Sequence, residues 1–271
     1  MLTFYCAWFC PYAQRAWLTL NHHNLPFDYI ESLTVNSDQQ LGENGYTKHP
    51  GLLKLNPKGL VPTFGLGADL VDSLHEDAKG MLTCKDVDGT NTWILTESID
   101  SMVFLNQISK SKNGDMYKDL GSDLTNVNLF NQDICSTFYK ILMKPTLDER
   151  KEAYTLFATS IGKYLQNVKD DGFFNSEDTP TLVDMAIIPW LLRIPLLEHY
   201  RPMFQLNDHL ESGELQKLEG YIRRMRQLDA VQKTLPKEEN DLIEVYKRYA
   251  EGTATSQVGK AVLSGKNAHD V

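Results

Sequence analysis

The sequence predicts an α/β domain followed by an all-helical domain, and three observations support this prediction. Residues 1–98 alternate strand-like and helix-like apolar spacing, which is typical of an α/β unit. From about residue 110 the strand signals fade, and apolar residues recur at helical intervals. The chain has 271 residues, 42% of them hydrophobic, which is enough for two domains with cores of their own. We therefore expect domains at 1–108 and 109–252, followed by a polar tail at 253–271.

The chain opens with a strand and a helix. Residues 2–6 form a strand-like run, and from Pro11 to about Asn21 the apolar residues follow helical spacing. Proline suits the first turn of a helix, because its fixed φ fits and its missing N–H would have no intrahelical partner there. A turn at residues 24–26 then leads to a second strand at 27–32.

The third strand is expected to open at residues 61–64, after a stretch at 36–60 in which glycine and proline leave room for only a short helix. Pro62 cannot donate a hydrogen bond to a sheet, so a proline that heads a strand needs a reason. A cis Val61–Pro62 bond in a tight turn would supply one, whereas a trans proline at a strand edge is the commoner arrangement. The residues alone leave both open.

More residues separate the third and fourth strands than a hairpin needs. Residues 65–80 are expected to form an inserted loop, and 81–84 and 92–95 are expected to pair around the Asp-Gly turn dipeptide at 88–89. The fourth strand then ends at residues 96–98, where a helix begins.

In the second half, helices are expected where the apolar spacing is helical, after a polar boundary segment at 109–114. The predicted helices cover residues 124–143, 148–169, 215–228 and 242–249. Thr181 and Asp184 form a capping-box pattern ahead of residues 185–192, which are apolar on every side, so this helix belongs in the centre of a domain. Residues 253–271 are small and polar, and we expect a disordered or loosely docked tail.

Charge and targeting signals exclude several functional classes. The formal net charge of −9, from 27 basic and 36 acidic side chains, disfavours binding to nucleic acid or to anionic membranes. The N-terminus has no basic segment followed by a long apolar one, and the longest apolar run, at 185–192, is too short to span a bilayer. These features predict a soluble cytoplasmic protein without stable membrane insertion.

The four cysteines, at positions 6, 10, 84 and 135, are too few and too scattered for a disulfide framework, which indicates a reducing compartment. Along an extended strand Cys6 and Cys10 would lie roughly 13 Å apart, beyond disulfide reach. No histidine follows at ligand spacing, so no metal site is expected.

Cys10 is the candidate nucleophile, because it falls immediately before the first helix. Unpaired N–H groups and the positive end of the helix dipole meet at a helix N-terminus, and both stabilise a thiolate. We therefore expect a pKa below that of an ordinary cysteine. The alternative is a buried and inert cysteine that packs like a small apolar residue.

Glu97 and Ser98 lie where the helix after the fourth strand begins. Hydroxyl and acidic side chains at a helix start are usually caps. The same pair can also hold an amino acid at both ends, since a carboxylate binds an ammonium group, and a hydroxyl beside free backbone N–H groups binds a carboxylate.

Three short motifs occur in one order along the chain. They are Cys-Pro-Tyr-Ala-Gln-Arg at 10–15, Asn-Pro-Lys-Gly-Leu-Val-Pro at 56–62 and Thr-Glu-Ser at 96–98. Together they resemble the cysteine-type cytosolic glutathione transferases of the omega class and of the related plant lambda class. The resemblance implies a thioredoxin-like α/β domain followed by an all-α domain, a cis proline at Pro62, and glutathione as co-substrate.

The resemblance also implies an activity, a glutathione-dependent thiol transferase or reductase that removes glutathione from mixed disulfides and can reduce dehydroascorbate. Cys10 would carry the glutathionyl group, and position 13 is alanine, so the site would be monothiol. Small thiols, disulfides and glutathionylated proteins would be its partners, and the chain would form a homodimer.

For glutathione itself, the resemblance implies backbone bonds from Val61 beside Pro62, and Glu97 with Ser98 at the γ-glutamyl end. Tyr12 would line the site. A lysine is expected at the glycyl carboxylate, with Lys48 at the matching spacing and Lys54 and Lys58 close by. The aromatic candidates for a second, apolar substrate pocket are Trp8, Phe9 and Trp190, each of which is more often a core residue.

A competing hypothesis is a non-catalytic protein with the same architecture. An interaction module, a ligand carrier or a relative of the intracellular chloride-channel proteins would also keep a cysteine at this position. A third alternative is conventional conjugation of glutathione to aryl halides. The motifs do not separate these alternatives, but assays of Cys10 variants do.

Overall fold

The computed structural model describes residues 1–35, 46–109, 115–117, 119–237 and 239–271. The chain divides into two compact units. Unit 1 takes in the described residues up to Asp115 and a later segment, Asp229–Pro236. Unit 2 takes in the described residues of Met116–Leu228 and Lys237–Val271. Most of the predicted boundary segment 109–114, and part of the irregular stretch 36–60, lie outside the described residues.

The described strands are β1 (Leu2–Cys6), β2 (Asp28–Glu31), β3 (Leu33–Val35), β4 (Tyr46–Lys48), β5 (Thr63–Leu66), β6 (Thr83–Val87) and β7 (Thr90–Thr96). The described helices up to residue 200 are α1 (Pro11–His22), α2 (Pro50–Leu55), α3 (Ala68–Asp72), α4 (Glu76–Lys79), α5 (Ser98–Ile108), α6 (Leu120–Phe130), α7 (Thr137–Met143), α8 (Leu147–Asn167), α9 (Leu182–Leu191) and α10 (Ile194–Tyr200). The later ones are α11 (Ser212–Gln227), α12 (Asp229–Gln232), α13 (Glu239–Ala250) and α14 (Gln257–Leu263).

Unit 1 is built on a mixed sheet with the strand order β2-β1-β5-β7-β6. β1 runs parallel to β2 and antiparallel to β5, and β7 is antiparallel to both of its neighbours, β5 and β6. Phe4 on β1 and Phe64 on β5 are fully buried and stack with ring centroids 4.7 Å apart. The predicted opening strand and helix are confirmed by β1 and α1. A separate pair, β3 with β4, was not predicted.

The insertion between β5 and β6 contains α3 and α4, and it is not the simple loop that the sequence predicts. It leaves the sheet after Leu66, which lies opposite Leu2 at the start of β1. The chain reaches Cys10 from the other end of β1, so the insertion lies at the sheet edge remote from Cys10. The hairpin that follows turns at Asp88 and Gly89, both with positive φ, as the Asp-Gly dipeptide predicts.

Unit 2 contains the helices that apolar spacing predicts, with ends that differ by a few residues. The predicted helix at 124–143 consists of α6, a π-helical stretch at Asn131–Ser136, and α7. Every residue of α9 is buried, as its uniformly apolar sequence predicts. No helix among the described residues is long and apolar enough to cross a membrane.

The start of α9 is held by the predicted capping box. Thr181 N donates to Asp184 Oδ2 at 2.7 Å, and Asp184 N donates to Thr181 Oγ1 at 3.4 Å. The fully buried Asp184 carboxyl also accepts from Phe174 N at 3.0 Å and from the Tyr221 hydroxyl at 2.7 Å. The Asp184 carboxyl therefore connects the start of α9 to the loop at Phe174 and to Tyr221 on α11.

The C-terminal stretch differs from the expected disordered or loosely docked tail. Ser256 caps α14 by accepting from Gly259 N at 3.0 Å, and Val262 is fully buried. Ala268 N donates to Ser136 Oγ at 2.9 Å, which ties the last residues to the π-helical stretch. Within this stretch the chain packs closely on itself, since a Cβ on Gly259 would lie 2.6 Å from the Ala254 carbonyl oxygen.

Candidate functional site

Cys10 occupies the N-cap position of α1, between the end of β1 and Pro11 at the first helical position. Its carbonyl oxygen accepts the first helical hydrogen bond, from Gln14 N at 2.9 Å. Its own N–H donates to the Ala7 carbonyl at 2.9 Å, which fixes the turn between strand and helix. The Cys10 side chain is half-buried. Cys10 therefore lies where unpaired N–H groups and the helix dipole favour a thiolate.

The other cysteines have different surroundings. Cys6 and Cys135 are fully buried, Cys84 is exposed on β6, and none of the four is in a disulfide. Burial raises the pKa of the Cys6 thiol well above its ordinary value, and the nearby Cys10 and Glu31 raise it further. Cys6 therefore stays a thiol at neutral pH, and Cys10 alone combines partial exposure with a helix N-terminus.

The loop before β5 is held by the side chain of Asn56. Its amide nitrogen donates to Thr63 Oγ1 at 3.1 Å and to the Leu60 carbonyl at 3.3 Å, so it bridges both sides of the turn. Gly59 has a φ of +62°, a conformation that glycine adopts without strain. These contacts explain the Asn-Pro-Lys-Gly part of the second motif. The Val61–Pro62 bond that follows is cis, as the resemblance implies.

Lys48 lies against the same loop. Its Nζ donates to the Lys58 carbonyl at 2.8 Å, and a Cβ on Gly59 would lie 2.7 Å from that nitrogen. Lys54 instead forms an ion pair with Asp88 at the hairpin turn. Of Lys48 and Lys54, Lys48 is therefore the one whose ammonium group lies beside the turn that leads to Pro62.

Glu97 and Ser98 mark the start of α5, as predicted. Glu97 is exposed and has a φ of +68°, a conformation that costs a non-glycine residue of order 1–3 kcal/mol and is often found at functional sites. Ser98 is buried, and its Oγ accepts from Arg15 Nη1 at 3.2 Å. Arg15 is fully buried on α1, so this bond ties the second turn of α1 to the first residue of α5.

Residues 9–108 match the family described as glutathione S-transferase, N-terminal domain. The matched region contains Cys10, the loop with the cis proline, and the pair Glu97 and Ser98. Outside the match lie the first eight residues of unit 1, its residues between 108 and Asp115, and its late segment Asp229–Pro236. None of the curated proteins matches the chain in sequence.

Solved glutathione transferases share the fold over both units. Glutathione transferase Omega 3C from Trametes versicolor is 21% identical, with 94% of this chain and 92% of that chain covered and a TM-score of 0.66. The Tau class enzyme MiGSTU from mango is 18% identical, with 92% and 98% covered and a TM-score of 0.66. Rice GST1, solved in complex with glutathione, is 16% identical, with 92% and 96% covered and a TM-score of 0.64. These structures confirm a thioredoxin-like domain followed by a helical region.

The predicted aromatic residues are divided between the units. In unit 1, Trp8 is partly exposed and lies edge-to-face with Phe9, with ring centroids 5.5 Å apart. Phe9 in turn stacks on Tyr46 of β4, 5.3 Å away. The Tyr12 ring lies 5.4 Å from the Arg15 guanidinium carbon, on the buried side of α1. Trp190 is completely buried in α9 of unit 2, which makes it a core residue and gives no support for a pocket wall.

Sequence analysis missed the support behind α1. Within unit 1, Gln14 donates from Nε2 to Thr234 Oγ1 at 3.1 Å, and both residues are buried. Thr234 follows α12, in the segment that joins unit 1 from much later in the chain. No local signal marks this contact. Among the described residues, no group of three His, Cys, Asp or Glu side chains is arranged to hold a metal ion.

Proposed function

We propose that this protein is a glutathione-dependent thiol transferase and reductase of the omega type, with Cys10 as its nucleophile. The observation that carries the proposal is the half-buried Cys10 at the N-cap of α1, followed by Pro11, within a region that matches the glutathione S-transferase N-terminal domain. A cysteine in this position is suited to form a mixed disulfide, because the thiolate is the attacking species.

The reaction would proceed by two thiol–disulfide exchanges. The Cys10 thiolate attacks the glutathionyl sulfur of a mixed disulfide, the S–S bond breaks, and the partner leaves as a thiolate that takes a proton from water. Cys10 then carries glutathione in a new disulfide. A second glutathione thiolate attacks that sulfur, releases oxidised glutathione and restores the Cys10 thiolate. The net reaction consumes one free glutathione: the mixed disulfide is reduced to the partner thiol, and its glutathionyl group leaves joined to the incoming glutathione as oxidised glutathione.

Dehydroascorbate would be reduced by the same sulfur. The Cys10 thiolate adds to a carbonyl carbon, and a glutathione thiolate then attacks Cys10 Sγ, which breaks the C–S bond and releases ascorbate after protonation. Cys10 is again left glutathionylated, and a second glutathione resolves it.

The same proposal assigns the contacts to glutathione. The backbone of Val61, before the cis Pro62, would pair with the cysteinyl part of the tripeptide. Glu97 is exposed, so its carboxylate is available for the γ-glutamyl ammonium group. Lys48 lies beside the turn at Gly59 and would bind the glycyl carboxylate.

The roles of Tyr12 and Ser98 in glutathione binding belong to the same proposal, as does an apolar pocket near Trp8 and Phe9. A cytoplasmic location and a homodimer are proposed on the resemblance to the omega class.

The test is turnover of hydroxyethyl disulfide and of dehydroascorbate in the presence of glutathione. We expect wild type and Cys84→Ser to turn over both substrates and Cys10→Ser to fall to background. Cys84 is the matched control, because it is exposed on β6 and lies outside the proposed site. Background rates in wild type as well would favour a non-catalytic protein, and a gain of aryl halide conjugation in Cys10→Ser would favour a conventional transferase.

A further inference from the structure

A second cavity, distinct from the Cys10 site, opens at the opposite edge of the unit 1 sheet. Its volume is about 710 Å³, within the range of roughly 300–1,000 Å³ that small-molecule pockets occupy. Leu2 at the start of β1 and Asp28 at the start of β2 line it, and these strands run in parallel. Cys10 follows the far end of β1. The strand alone separates the two edges by about 13 Å, at 3.3 Å per residue.

The insertion between β5 and β6 builds one wall of this cavity. Leu70, Leu74 and Ala78, on or next to α3 and α4, all line it. Both short helices are anchored, because Val71 on α3 is 2% exposed and Ala78 on α4 is 4% exposed. The wall is therefore held in place by its own buried residues. The insertion leaves the sheet at the end of β1 remote from Cys10, and there it shapes this cavity.

The interior of the cavity is mainly apolar. Leucine, proline, phenylalanine and isoleucine side chains from the turn after α1, the end of α5 and the insertion face it, at positions 25, 26, 27, 70, 74 and 108. Phe27 is positioned by an edge-to-face contact with the core residue Phe4, with ring centroids 5.9 Å apart. Such a surface favours a ring system or another apolar body, because burial of apolar area drives its binding.

The charged side chains lie at the mouth of the cavity. Asp28 and Asp77 are exposed carboxylates, on β2 and α4. His75 also lines the mouth, where it caps α4 and its Nδ1 lies 3.3 Å from an Asp77 carboxylate oxygen. Met1 also lines the cavity and carries the α-ammonium group, so two carboxylates face one fixed positive charge, and the lining is negative when His75 is neutral. The chain as a whole carries a net charge of −9, which also attracts cations.

We propose that this cavity binds a small organic cation with an apolar body, such as an arylalkylamine, independently of the chemistry at Cys10. The ring system occupies the interior between Phe27 and Leu74, and the ammonium group stays at the mouth beside Asp28 and Asp77. An organic anion of the same shape is disfavoured by the same carboxylates.

The test compares two probes with one ring system and opposite charge, naphthylethylamine and naphthylacetic acid. Their affinities for the full chain are measured by isothermal titration calorimetry at low ionic strength. We expect the amine to bind more tightly than the acid. We also expect it to slow backbone hydrogen exchange in residues 67–82, measured by mass spectrometry of the peptides.

Three variants locate the binding. The double variant Asp28→Asn with Asp77→Asn should weaken amine binding about threefold to tenfold, the range for two partly exposed charges. Asp72→Asn, an exposed acid on α3 outside the cavity lining, is the matched control and should change nothing. Leu74→Trp fills part of the cavity and should weaken the amine at least about tenfold. Its circular dichroism shows whether it folds, and the charge variant is a test that does not depend on it.

The proposal is overturned if the acid binds as tightly as the amine, or if neither binds. It is also overturned if the double charge variant binds the amine as wild type does, or if a folded Leu74→Trp does. Protection from exchange that falls outside residues 67–82 and the turn after α1 would place the ligand elsewhere and equally refute it. None of these outcomes bears on turnover by Cys10.

Discussion

The bond between Arg15 and Ser98 gives a prediction for both stability and function. Arg15 is fully buried, and its Nη1 donates to Ser98 Oγ at 3.2 Å. The change Ser98→Ala removes this acceptor while adding no bulk. Both residues lie near the N-terminal ends of the helices α1 and α5, which frame the proposed glutathione site.

The size of the effect follows from the charge of the donor. A hydrogen bond to a charged group contributes about 1.5–3 kcal/mol to stability, against about 1 kcal/mol for a neutral one. We therefore expect Ser98→Ala to lower the free energy of unfolding by about 1.5–3 kcal/mol. Ser101→Ala is the matched control, because Ser101 is also buried on α5 but donates to the Glu97 carbonyl in a neutral bond. Alanine's higher helix propensity offsets part of that loss, so we expect less than about 1 kcal/mol.

Urea unfolding of both variants at neutral pH measures the difference. The KM for glutathione, measured in parallel, should rise in Ser98→Ala and stay unchanged in Ser101→Ala. A Ser98→Ala variant no less stable than Ser101→Ala would refute the idea that this bond holds the starts of α1 and α5 together.

Three further predictions concern buried and exposed charges. Asp184→Asn should lower the free energy of unfolding by about 2–4 kcal/mol, because the amide cannot accept from all the donors that surround the carboxyl. Urea unfolding measures this loss, and the exposed control Asp178→Asn should leave the free energy of unfolding unchanged. Burial, then the neighbouring histidine, lowers the pKa of His22 from 6.5 to about 4, so stability present above pH 6.5 is lost as the pH falls towards 4. After allowance for partial screening by solvent, the loss of unfolding free energy over this pH range is about 1–3 kcal/mol. Urea unfolding at pH 6.5 and pH 4 should show a smaller loss in His22→Gln than in wild type, and equal losses would contradict the role of His22. Lys48→Met should raise the KM for glutathione about tenfold, and Lys54→Met should not, because Lys54 is already ion-paired with Asp88. Equal effects of the two variants would contradict the assignment of Lys48 to the glycyl carboxylate.

Local signals in the sequence predicted much of unit 1, the position of Cys10 in it, and the start of α9 in unit 2. Pro11 marks the beginning of α1, which places Cys10 at the N-cap. The Asp-Gly pair at 88–89 predicts the hairpin turn, and both residues have the positive φ in the structure that such a turn requires. The capping box of Thr181 and Asp184 is likewise visible three residues apart, and it forms as predicted. Each of these features depends on residues close together in the chain.

What the sequence did not predict depends on contacts between distant residues. Gln14 meets Thr234 across 220 positions, so no local pattern indicates that α12 supports α1. Nothing in the sequence near Arg15 indicates that its side chain is buried and bonded to Ser98, 83 positions away. The tail at 253–271 is polar in composition, yet Val262 and Ala268 are fully buried, and Ala268 N donates to Ser136 Oγ across 132 positions.

The central claim is that the position of Cys10 at a helix start makes its sulfur reactive, and the exposed Cys84 provides the comparison. The protein is treated with oxidised glutathione at neutral pH, and adducts are mapped by mass spectrometry over time. The account predicts one glutathionyl group on Cys10, formed at least about tenfold faster than on Cys84 although Cys84 is more accessible. Modification of Cys84 first, or of both at the same rate, would contradict it.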